Sequence, residues 1–117
     1  MSTSPSERIV AAAQATAEAN DAAGRALTVR RPGALERLRL FKAAGAALAG
    51  NPAWLGLATV AASVVALDGV PVPFPASEAQ IEALVARLGD HGIAAVSAAL
   101  SVLRSAAEAR AADTAKN

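Results

Sequence analysis

The stretch Leu67-Asp68-Gly69-Val70-Pro71-Val72-Pro73-Phe74-Pro75 decides how the two halves of this chain meet. Three prolines at alternate positions fix φ and remove three backbone donors, which excludes a helix and a central strand. Asp68-Gly69 is a turn signal, and Ser77 with Gln80 opens the following helix as a capping box. Read this way, the segment is a stiff bend between two helical halves.

Upstream of the bend, Pro52 to Leu67 carries no charge, which suits a helix surrounded by others. Trp54, Leu57, Val60, Ala61, Val64 and Val65 form its broad apolar face, and Gly56, Thr59 and Ser63 form a narrow face of small residues. Asn51 and Pro52 start this helix as N-cap and N1, after Gly50 has closed the one before. That earlier helix runs from Ala34 to Ala49. At about 100° per residue, Leu35, Leu38, Phe41, Gly45 and Leu48 share one face, the expected buried face, with Gly45 admitting another helix.

Downstream, Ile81, Leu84, Val85 and Leu88 follow helical spacing. Gly89-Asp90-His91-Gly92 breaks the helix, and Ile93, Val96, Leu100 and Leu103 mark a fourth. Arg25 to Arg30 alternates polar and apolar residues and reads as one short extended segment, with an unidentified strand as its partner. Residues 1–20 offer only Ile9 and Val10 for burial, so a helix starting near Ser6 would be marginal in water. The expected architecture is therefore all-α: four main helices, a Pro-rich connector, a short extended segment before them and weakly ordered ends. Residues 21–110 form a single helical domain between a weakly ordered segment, 1–20, and a polar tail, 111–117.

Composition narrows the function. Of the 117 residues, 34 are Ala, while Leu, Ile, Val and Phe total 27. Ala favours helix but contributes little burial, so a thin core gains from a partner. The chain has no Cys and one His, which excludes thiolate and multi-histidine metal sites within one chain. No basic n-region with an apolar core opens the sequence, so secretion is not expected and a cytoplasmic location is. Net charge is +1, yet it is distributed unevenly. Arg25, Arg30, Arg31, Arg37, Arg39 and Lys42 stand against Glu36 alone between positions 25 and 42.

The candidate chemistries weaken on inspection. Asp90-His91 lacks a glycine elbow around a serine and a second histidine, so it reads as a helix cap and its neighbour. Neither phosphate-loop glycine pattern is present. The uncharged run Ala43 to Leu67 is long enough to cross a bilayer, but Asn51-Pro52 divides it into pieces too short to span. The basic cluster lacks stacking aromatics, and fits an acidic protein segment better than nucleic acid. No catalytic, cofactor or metal residues are identified. The scarce large apolar residues Trp54, Leu55, Leu57 and Phe74 are the candidate partner-binding set, with Trp54 and Phe74 beside the breaks.

Several segments carry a resemblance to a family. They are Val29-Arg30-Arg31-Pro32, Leu35-Glu36-Arg37-Leu38-Arg39-Leu40-Phe41, Gly50-Asn51-Pro52, Leu67-Asp68-Gly69-Val70-Pro71-Val72-Pro73, Gln80-Ile81-Glu82-Ala83-Leu84 and Leu88-Gly89-Asp90-His91-Gly92-Ile93. Between Leu27 and Ala99 the chain resembles the small tail assembly chaperones of tailed bacteriophages and prophages. The resemblance implies a non-catalytic protein of the host bacterial cytoplasm that self-associates. It also implies binding to the tape measure protein before tail tube protein polymerises around it, and absence from the finished particle. Neither a cofactor nor a small-molecule substrate is implied. Two other classes fit the residues: a small basic-patch nucleic-acid-binding or regulatory protein, and a small holin-like membrane protein.

Overall fold

The computed structural model describes residues 15–115. The elements in chain order are β1 (Thr16–Asn20), β2 (Ala26–Arg30), α1 (Ala34–Ala49), α2 (Pro52–Ala62), β3 (Val64–Leu67), β4 (Val70–Pro71) and α3 (Glu78–Ala115). The four strands form one antiparallel sheet in the order β1-β2-β3-β4. The all-α expectation is thus overturned. The fold is α+β, with three helices packed around and beside a small sheet.

The connector expected to be a stiff bend, Leu67 to Pro75, begins as a β-hairpin. Asp68 and Gly69 both have positive φ, 50° and 80°, the backbone of a two-residue hairpin turn whose twist matches the strands it joins. Leu67 pairs with Val70 and Ala66 with Pro71 across it. The prolines exclude a central strand but not an edge one, and β4 is the edge. Its pairing continues where the Val72 N–H donates to the Val65 carbonyl at 2.9 Å.

Helix α2 accordingly stops at Ala62, before Leu67. Buried Ser63 turns the chain out of it: its N–H and hydroxyl both donate to the Thr59 carbonyl, at 3.1 and 2.7 Å. The β-branched pair Val64-Val65 then enters β3, in keeping with its strand preference. The extended segment at Arg25–Arg30 is β2, paired on both sides. Its partner β1 lies within the segment expected to be weakly ordered. A helix beginning near Ser6 falls mainly on residues 1–14, outside the described residues, and at Thr16–Asn20 the chain is strand instead.

Period-two alternation sends Leu27 and Val29 to one face of the sheet, where they are fully buried with Val64 and Leu67. Leu84, Leu88, Val96, Ala99 and Leu103 of α3 complete this main core. On the other face the Thr28 hydroxyl donates to Glu18 at 3.0 Å across the strands. A second, smaller cluster joins Leu40 of α1, Ala58 and Ala62 of α2 and Ile81 of α3, with Ala43, Trp54 and Phe74 packed against it.

Helix starts follow the local signals. Asn51 Oδ1 accepts from the Trp54 N–H at 3.1 Å, and Ser77 Oγ from the Gln80 N–H at 3.2 Å. Gln80 Oε1 accepts from the Ala76 N–H at 2.8 Å. The break expected at Gly89 to Gly92 is a kink within α3, where Gly89 adopts φ +64°. Another kink bends α1 at Gly45.

Candidate functional site

Helix α1 carries two apolar stripes rather than one. Leu40 and Ala44, one turn apart, are buried, and Leu40 belongs to the small cluster. The stripe expected to be buried points to solvent instead: Leu35 is 59% exposed, Leu38 65% and Phe41 47%. At about 100° per residue these three fall within an arc of about 120°. Lys42 sits inside that arc, and Arg37 and Arg39 border it on either side. Arg31, Arg37, Arg39 and Lys42 are all exposed. None of them joins an ion pair among the described residues. The sole acid of the helix, Glu36, is turned away. Its Oε1 accepts from the Gly33 N–H at 3.0 Å and its Oε2 from Arg30 Nη2 at 3.1 Å.

The four residues expected to bind a partner are dispersed. Trp54 and Leu57 line a groove of ≈ 250 Å³ between α2 and α3, with Ile81, Glu82 and Val85. Leu57 is 49% exposed, while Trp54 is half-buried over the small cluster. Phe74 is also half-buried against that cluster, but it lines a separate recess of ≈ 90 Å³ beside Arg30 and Glu36. Leu55 is half-buried and lines neither. A third recess of ≈ 310 Å³ lies between the prolines of the connector and Gln80, Leu84 and Arg87.

A polar junction that pattern reading missed holds the α3 kink. At Gly89 the helical ladder is interrupted, and the preceding carbonyls lose their regular donors. Arg25, in the β1–β2 turn, replaces them: Nη1 donates to the Arg87 carbonyl at 2.8 Å and Nη2 to the Leu88 carbonyl at 2.6 Å. A cation also suits the negative end of a helix. Buried Asp21 holds the guanidinium in place, accepting from Arg25 Nε at 2.7 Å and from its backbone N–H at 2.9 Å. These contacts, the backbone one foremost, keep the Asp21 carboxyl below its ordinary value of 3.8. Gly92 leaves the room required, since a Cβ there would lie 2.9 Å from Leu88 Cβ and 3.1 Å from Arg25 Nη2. The partners are about 60 residues apart in sequence, so no local spacing announces the junction.

Asp90 and His91 are exposed. Among the described residues, no group of three or more His, Asp or Glu side chains comes together to hold a metal. The uncharged run Ala43 to Leu67 is divided between α1, α2 and β3. By length and composition alone, Glu78–Asp113 is the one described helix able to cross a membrane. Its Ile81, Leu84, Leu88, Val96, Ala99 and Leu103 are buried within the protein.

Comparison with protein-family models, curated proteins and solved structures finds no match. What the arrangement offers chemically is surface: an apolar stripe in a basic border, and a shallow apolar groove on a neighbouring face.

Proposed function

We propose that the protein is a non-catalytic tail assembly chaperone of a bacteriophage or prophage, which binds a tape measure protein during tail morphogenesis. The observation that carries this reading is the outward stripe Leu35, Leu38 and Phe41. Contiguous large apolar side chains left in solvent mark an interaction surface. Covering them contributes about 1.5–3 kcal/mol for each side chain fully removed from water. Such a helix presents apolar anchors at the spacing used to grip another helix, which is what an aggregation-prone helical client requires.

The resemblance supplies the identity of that client. Its segments fall at the end of β2, the first two turns of α1, the α1–α2 break, the β3–β4 hairpin, the first turns of α3 and the α3 kink. In this reading the protein acts in the host cytoplasm, self-associates and leaves before the tail is complete. Trp54 and Leu57, in the groove between α2 and α3, offer a second contact for the client or for another copy of the chain.

Co-expression tests the reading. A tape measure fragment from the same genome, insoluble when expressed alone, is expected to stay soluble and co-purify with this chain. A fragment that remains insoluble, or a soluble one that fails to associate, would overturn it.

A further inference from the structure

We infer that the outer face of α1 takes an acidic amphipathic helix, one with an apolar stripe bordered by Asp and Glu. The inference rests on the chaperone reading for the identity of the client, but on the charge of the face for its chemistry.

Arg37 and Arg39 flank the apolar arc, Lys42 lies within it and Arg31 stands at its N-terminal end. All four are exposed and none joins an ion pair among the described residues. The acid that would neutralise them within the helix, Glu36, is held on the inner side by Arg30 and the Gly33 N–H. A partner with cations beside its apolar stripe would meet like charge at every turn, whereas carboxylates find donors on both borders. Three of the four cations are Arg, whose planar fork matches a carboxylate with two parallel hydrogen bonds.

Two other anionic surfaces fit less well. Nucleic acid would place phosphates over the apolar Leu35, Leu38 and Phe41, where Lys42 is the single cation within the arc, and Phe41 alone could stack. A lipid surface calls for a helix free to sink along its length. Here the inner side of α1 is packed through Leu40 and Ala44, and Gly45 kinks it after three turns. A single helix laid along the stripe needs no more length than this.

The test uses two synthetic peptides of about 20 residues, long enough to form helix on binding. They share one Leu stripe at i, i+3, i+4 and i+7 and differ only in bordering residues, Glu in one and Lys in the other. The full chain should bind the Glu peptide about tenfold more tightly at about 50 mM salt, with the ratio shrinking towards one at about 500 mM. Arg37→Glu/Arg39→Glu/Lys42→Glu should reverse the preference while its circular dichroism melt stays native-like. Arg37→Gln/Arg39→Gln should shrink the preference without reversing it.

Equal affinity for the two peptides, or no binding of either, would overturn the inference. So would a charge-reversed protein that still prefers Glu. Stronger binding to anionic phosphatidylserine vesicles or to random duplex DNA than to the Glu peptide would do the same. The chaperone reading fails separately. If the charge-reversed chain still keeps a tape measure fragment soluble, that reading stands and the acidic partner falls. If the wild-type chain prefers the Glu peptide but rescues no fragment, the reverse holds.

Discussion

The sheet with α3 and the pair α1–α2 are built from the same Ala-rich composition, yet they bury their large apolar residues to different degrees. In the first region Leu27, Val29, Val64, Leu88 and Val96 are at most 2% exposed, and Arg25 fastens the turn of one hairpin to the kink of the long helix. In the second, Leu40, Ala44, Ala58, Ala61 and Ala62 are buried, Leu40, Ala58 and Ala62 clustering with Ile81 of α3, while Leu35, Leu38, Phe41 and Leu57 remain outside. Most of the large buried side chains lie in the first region, where Val70 and Val102 are nonetheless exposed, while α1 and α2 leave four large apolar residues in solvent. The difference teaches that an apolar stripe at helical spacing identifies a face with something to bury, not the core that buries it.

The contrast can be broken at its stable end first. Leu88→Ala, which empties a fully enclosed site beneath the sheet, should destabilise the protein by about 2–5 kcal/mol in urea unfolding. A cost below about 1 kcal/mol would mean that this core is looser than its burial indicates.

Arg25→Ala comes next, because it leaves the Arg87 and Leu88 carbonyls without donors and Asp21 without its cation. The thermal midpoint should fall by roughly 5–10 °C, and Arg25→Lys, with one compact donor group, should recover only part of it. An unchanged midpoint would show that water serves the kink equally well.

The same junction predicts an acid dependence. The Asp21 carboxyl is held below its ordinary 3.8 in the folded protein, so its contribution is complete above that value and is lost as pH falls through the folded one. Acid unfolding followed by circular dichroism should therefore steepen below about pH 4. Asp21→Asn should flatten that limb while lowering stability at neutral pH. An identical acid limb in the variant would remove Asp21 from the account.

Much of this architecture was legible residue by residue. Asn51-Pro52, Ser77 with Gln80, and the spacing of Ile81, Leu84 and Leu88 act locally and place the helix starts and inward faces where the structure has them. Strand character was visible at Ala26–Arg30, where polar and apolar residues alternate. It was hidden at Val64–Leu67, which continues an uncharged helical run, and at Thr16–Asn20, where Ala obscures the alternation. Asp68-Gly69 carries the hairpin signal, while the prolines beside it favour a rigid bend on local grounds. An edge strand tolerates a proline that a central strand would not. For the candidate site, sequence spacing does not say that Trp54 and Leu57 share a groove from which Phe74 lies apart. The exposed side of α1 was not legible either, because sequence spacing groups Leu35, Leu38 and Phe41 without saying which of two stripes meets the core. Tertiary packing alone chose Leu40 and Ala44.

The smallest expected change in stability lies at the other end of the contrast. Leu38→Asp, at a position 65% exposed, should shift unfolding by no more than about 0.5 kcal/mol. A loss comparable to that of Leu88→Ala would mean that the outer stripe is core after all.

The central claim is that this outer stripe is a binding surface, and the most direct test is the yield of tape measure fragment co-purified with Leu35→Ser/Leu38→Ser relative to the wild-type chain. The account predicts a folded variant that retains little or none of the fragment. Recovery of the fragment at the wild-type level by that folded variant would contradict it.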